Sequence, residues 1–78
     1  MKVPSGRLLA AGRRVAGLKQ ADLAREAGID PTTLSRMESA GADPVGGSTR
    51  NLQAVLDALR KHGVEIDEDS IRLVKKRR

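Results

Sequence analysis

The chain has 78 residues and a formal net charge of +5, the balance of one small domain with a preference for an anionic partner. It contains no Cys, which excludes a disulfide framework and thiolate metal sites, and no Phe, Trp or Tyr, which removes the rings on which single-strand and RNA readers commonly stack bases. No long apolar run occurs, so the sequence predicts neither a membrane span nor a signal peptide, and a soluble cytoplasmic protein is expected.

Met1 to Pro4 reads as a loose arm whose Lys2 is within reach of a phosphate. Ser5 to Val15 or Ala16 reads as a first helix with Ser5 as its cap. Leu9, Gly12 and Ala16 form one stripe, and Leu8, Ala11 and Val15 form the stripe beside it. Leu9 and Ala16 are expected to face the core, joined by one or both of Leu8 and Val15. Gly12 costs about 1 kcal/mol relative to Ala and marks a place for close helix contact. A second helix spans Lys19 to Ala27, with Leu23, Ala24 and Ala27 inward and Ala24 small where the next helix must cross. Lys19 and Gln20 open this helix, where free amides and the positive dipole end favour phosphate.

The chain then stops and restarts within a few residues. Gly28 suits the positive φ that commonly ends a helix. Asp30 is biased towards extended backbone by the proline after it and can cap through the amides of Thr32 and Thr33, while Pro31 suits the first helical position. Asp30 to Ser39 forms the third helix. Leu34 and Met37 face the core, so the opposite face carries Thr32, Ser35 and Arg36, with Pro31 and Thr33 at its edge. Two helices meeting steeply at one apolar corner make a helix-turn-helix.

The run QADLAREAGIDPTTLSRMES, Gln20 to Ser39, resembles the helix-turn-helix of the phage-repressor (lambda-repressor-like, Cro-type) DNA-binding domains. Gln20, Leu23-Ala24, Ala27-Gly28-Ile29 and Thr33 to Glu38 carry the resemblance, which extends upstream to Arg13 and Gly17-Leu18 and covers residues 5 to 62. It implies a structural ion pair between Arg13 and Glu38 and a loop after the third helix that lies along the DNA backbone. Within such a domain, Pro31, Thr32, Thr33, Ser35 and Arg36 are the candidate base readers, with Thr32 and Arg36 foremost. Two positions depart from the family pattern. Lys19 replaces the usual capping Ser or Thr, which predicts a weaker helix start, and Pro31 deprives the third helix of an amide at its first position.

Ala40 to Ser48 is a loop by composition, and its glycines allow close backbone approach. Ser48 or Thr49 caps a fourth helix, roughly Arg50 to His62, with Leu52, Val55, Leu56 and Leu59 as its apolar stripe and Gly63 as its stop. Ser39, Arg50 and Asn51 join Lys19 and Gln20 as candidate phosphate contacts, a solvated helix start being the alternative for Arg50 and Asn51. His62 lies near a helix C-terminus, where a cation is favoured. Val64 to Val74 alternates around Asp67-Glu68-Asp69-Ser70 and predicts a hairpin pairing Ile66 with Ile71, Glu65 with Arg72 and Val64 with Leu73. The acidic turn lacks the glycine and distal glutamate of a calcium loop. A lone hairpin must pack on the fourth helix or on a second copy, and Val64, Ile66, Ile71 and Leu73 are the candidate dimer seam. Lys75 to Arg78 is a basic tail, solvated or touching phosphate.

The expectation is thus a mainly α, four-helix, lambda-repressor-like domain over residues 1–63, a β-hairpin over 64–74 and a tail over 75–78. It would be a homodimeric, sequence-specific reader of double-stranded DNA in transcription, associated with the nucleoid through that DNA. No cofactor or metal is called for. A toxin or transcription-machinery partner is the alternative class: an antitoxin that neutralises its toxin and autoregulates its operon. No nucleophile–base arrangement or phosphate-cradling glycine loop points to an enzyme.

Overall fold

The computed structural model describes residues 3–67 and 69–74. Four helices, α1 (Gly6–Val15), α2 (Gln20–Ala27), α3 (Pro31–Glu38) and α4 (Thr49–Lys61), precede an antiparallel hairpin of β1 (Val64–Ile66) and β2 (Ile71–Leu73). Each helix begins where local chemistry allows. Ser5 Oγ accepts from the Leu8 amide, the Asp30 carboxylate from the Thr32 amide, and Ser48 Oγ from the Asn51 amide. Lys19 caps α2 without any side-chain bond, so its first-turn amides have no side-chain acceptor from the cap. Gly28, at φ +72°, closes α2 in the left-handed conformation.

The helix limits are tighter than the sequence reading by one residue at several ends. Lys19, Ser39 and His62 are caps rather than helical residues, while Asp30 is the N-cap that the sequence predicts. Thr49, by contrast, is the first helical residue, and Ser48 is the cap.

The core is wholly aliphatic. Leu9 of α1, Leu23 and Ala24 of α2, Leu34 and Met37 of α3 and Leu52, Val55, Ala58 and Leu59 of α4 meet at its centre, closed by Val45 and Val64. Ala24 is fully buried where α2 packs against its neighbours, so the corner of the helix-turn-helix is set by a methyl group.

Two expectations about α1 are corrected. Val15 is exposed and Leu8 only half-buried, and neither joins the core cluster. The adjoining stripe of Leu9, Gly12 and Ala16 turns inward instead, because β1 packs against α1: a Cβ at Gly12 would lie 2.5 Å from Cδ1 of Ile66. The close contact at Gly12 is therefore with the hairpin, not with another helix. Nor is the start of the chain a loose arm from Val3 onward. Pro4 is buried, its carbonyl accepts from the Val45 amide at 2.9 Å, and Ser5 bridges to Pro44. The amides of Gly6 and Arg7 donate to Asp43 and Gly41, so the segment before α1 and the loop before α4 form one tied unit. Met1, Lys2, Glu68 and the tail 75–78 lie outside the described residues.

The hairpin register pairs Val64 with Leu73, Glu65 with Arg72 and Ile66 with Ile71. It packs on its own domain, through β1 against α4 and α1. Glu65 anchors it further, accepting from Arg72 Nη2 at 2.7 Å and facing Arg60 Nε of α4 at 3.7 Å. The hydrogen bond from Arg72 is the largest influence; it outweighs the opposing effect of burial and, with the charges of Arg72 and Arg60, holds the Glu65 carboxyl below its ordinary value. The Val74 amide donates to Gly63 and the Asp67 amide to Ser70. Antiparallel alternation then directs the N–H and C=O groups of Ile71 and Leu73 away from β1, leaving the outer edge of β2 unpaired within the hairpin.

Candidate nucleic-acid interface

Helix α3 shows one face to the core and one to solvent. Leu34 and Met37 are buried; Pro31, Thr32 and Arg36 are exposed, and Thr33 and Ser35 are half-buried at the margin. The Asp30 cap and Pro31 fix where the helix starts, and the fully buried Leu34 fixes its rotation, so Thr32 and Arg36 are presented outward. Among the described residues no carboxylate pairs with Arg36 or with Arg50 at the start of α4.

Thr33, Arg36 and Asn51 line one groove, floored by Met37 and walled by Gly46, Gly47 and Ser48. The groove runs between the outer face of α3 and the start of α4. Three of the candidate contact residues, drawn from two helices, thus share one concave surface. Composition singled out these glycines for close backbone approach, but their place across from α3 depends on how α3 and α4 cross. Arg50, next to Asn51 in the first turn of α4, is exposed, and Asn51 is half-buried with its backbone N–H donating to Ser48 Oγ.

At the other end of the surface, Lys19 is exposed and Gln20 is half-buried. Gln20 does not stand alone: its Nε2 donates to Glu38 Oε1 at 3.0 Å. The same carboxylate receives Arg13 Nε at 2.8 Å and Arg13 Nη2 at 3.1 Å, while Arg13 Nη1 donates to the Leu18 carbonyl at 3.0 Å. The Arg13–Glu38 pair is nearly enclosed, with 13% and 7% of the side chains exposed. It joins α1 to α3 and reaches the turn before α2. Ser39 is exposed, and its hydroxyl donates back to the Ser35 carbonyl at 2.8 Å, which ties down the end of α3.

The four proposed seam residues divide. Val64 is 1% exposed in the subunit's own core, and Ile66 and Ile71 pack partly against it. Leu73 is 71% exposed, with Val74 and Val15 also open to solvent. A contact missed from sequence joins His62 Nε2 to Glu26 Oε1 at 2.7 Å, holding the end of α4 to α2; nothing in the local pattern of either helix signals it. Among the described residues no group of His, Cys, Asp and Glu could hold a metal ion, and no helix is long and apolar enough to cross a membrane.

No curated protein matches the sequence. Residues 6–68 match the family described as the helix-turn-helix domain, a span that takes in all four helices and β1. With α2 and α3 in contact across the turn at Gly28, an outward polar face on α3 and this match over most of its length, the chain belongs to the helix-turn-helix domain family of DNA-binding regulators.

Proposed function

We propose that the chain is a sequence-specific duplex-DNA-binding transcription regulator of the phage-repressor (Cro) type, acting as a homodimer on a two-fold-related site. Helix α3 enters the major groove. Thr32 and Arg36 read base edges, Arg36 by bidentate donation to guanine and Thr32 by its hydroxyl or methyl, with Pro31, Thr33 and Ser35 at the margin. Lys19, Gln20, Ser39, Arg50 and Asn51 hold phosphates on either side. The observation that supports this reading is the groove lined by Thr33, Arg36 and Asn51, which brings candidate contact residues of α3 and α4 onto one concave face.

The dimer reading rests on β2. Its outer edge leaves main-chain groups of Ile71 and Leu73 unpaired within the hairpin, and Leu73 and Val74 are exposed beside them. A second copy pairing along this edge would satisfy both features, with Val64 and Ile66 supporting the seam from inside. Half-sites about one helical turn apart, ~34 Å, are then expected.

Selection of bound sequences from a random duplex pool tests both parts. A two-fold-related consensus with a guanine contacted by Arg36 is the expected result. Recovery of no consensus at all would reject sequence reading.

A further inference from the structure

We infer that Glu38 is a positioning residue for DNA binding: it fixes the side-chain amide of Gln20 so that Gln20 meets the duplex backbone with a hydrogen rather than with its carbonyl. The inference rests on the reading of the chain as a duplex-DNA binder.

A glutamine amide is nearly symmetrical in shape but opposite in character at its two ends. Near a phosphate its NH2 group attracts and its carbonyl repels. Gln20 is the first residue of α2, and Lys19 before it supplies no side-chain cap, so the anion-favouring end of this helix is open. Which end of the amide points where is therefore decided by whatever else Gln20 touches. It touches Glu38, whose ionised carboxylate can only accept, and so must take the NH2 end. One amide hydrogen is used there, and the second remains for an anion.

Arg13 makes this arrangement compatible with a polyanion. An unpaired carboxylate at the junction of α2 and α3 would repel phosphate. Two hydrogen bonds from Arg13 neutralise it, and the third nitrogen of the guanidinium holds the Leu18 carbonyl in the turn leading to α2. One carboxylate thus sets the position of α2's first residue relative to α3, the two elements that straddle the proposed groove contact.

A double-mutant cycle on the full chain tests this, with affinity measured for a mixed-sequence duplex and thermal stability measured alongside. Glu38→Gln is expected to weaken duplex binding about threefold to tenfold, the effect of releasing one pre-set polar side chain. Gln20→Ala is expected to weaken it comparably. In the Gln20→Ala background, Glu38→Gln should cost clearly less than it does in the unmodified chain, leaving only its effect through Arg13 and α3. Equal losses with and without Gln20, or no loss from Glu38→Gln, would overturn the proposal. Failure of the unmodified chain to bind the duplex would instead reject the DNA reading beneath it. Should Glu38→Gln unfold the chain, the unmodified protein still decides: the Gln20 side-chain amide protons should show one hydrogen-bonded and one free resonance by NMR, and only the free one should move on adding duplex. Two solvent-like resonances would overturn the proposal.

Discussion

Arg13 and Glu38 meet in a two-bond fork, Nε to Oε2 and Nη2 to Oε1, across 25 residues of chain. The fork joins the last turn of α1 to the last residue of α3, so it braces α3 against α1. Removing one partner strands the other in a nearly enclosed site. Arg13→Ala or Glu38→Ala is expected to cost about 2–4 kcal/mol in urea denaturation, somewhat less than the ~3–5 kcal/mol for breaking a fully buried pair because neither group is wholly dry. A loss under about 1 kcal/mol would place the fork among ordinary surface pairs.

Two glycines of α1 should respond unequally to the same change. A methyl at Gly6 would meet the carbonyl oxygens of Met37 and Glu38 at 2.5 and 2.7 Å, both backbone atoms that cannot step aside. Gly6→Ala is therefore expected to destabilise by about 1–3 kcal/mol through overpacking. At Gly12 the obstacle is the tip of Ile66, which can rotate. There the gain of about 1 kcal/mol in helix propensity offsets the crowding, leaving Gly12→Ala close to wild type. The reverse order of the two variants would mean that α1 does not cross α3 at Gly6.

Substitutions on the proposed DNA face should separate by kind. Arg36→Ala is expected to erase preference at one base position, worth about 1–3 kcal/mol against the wrong base. Arg50→Ala should weaken all sequences alike and lower the salt slope of log affinity by about 1. A profile in which Arg36→Ala scales every site equally would remove Arg36 from the readers.

Glu65 ties hairpin stability to pH. Its carboxyl is held below the ordinary value of 4.5 by the Arg72 hydrogen bond and the nearby guanidinium charges. The unfolded chain binds that proton first as pH falls, so the contribution of Glu65 is full above pH 4.5 and disappears as pH drops through the lowered native value. The thermal midpoint of the wild type should accordingly fall more steeply below this pH than that of Glu65→Gln. Parallel curves would show that the Glu65–Arg72 bond does not persist in solution.

Self-association is tested best at Leu73. Cutting the chain after Gly63 would remove Val64 from the core and confuse unfolding with dissociation. Leu73→Lys leaves the core intact and places a charge on the exposed edge. By sedimentation it should shift the protein towards monomer; an unchanged dimer would move the seam elsewhere.

Local chemistry made much of this fold readable in advance. Ser5, Asp30 and Ser48 could be named as caps because a short oxygen-bearing side chain before a helical pattern has few other uses, and the hairpin register follows from a four-residue turn between two apolar pairs. What could not be read depends on how elements cross. Two stripes of α1 are almost equally apolar, and only the hairpin decides between them. Val45 sits in a polar glycine-rich loop, and nothing near it in sequence shows that Pro4 draws it inward. Of the candidate site, the outward face of α3 was readable from the phase of Leu34 and Met37. The Arg13–Glu38 pair was readable only by family resemblance, and the bond from Gln20 to Glu38 not at all, since either residue alone looks like an ordinary helix former.

Gly46, Gly47 and Ser48 form a partition: one side walls the groove beneath Arg36, and the other lines a second cleft with Val3, Val45 and Leu52. The strip thus has open space on both flanks. The α2–α3 corner, backed solidly by Leu23, Ala24 and Leu34, has none. If α3 enters a duplex as proposed, the well-packed corner would be the fixed edge of the contact and this strip the edge with space behind it.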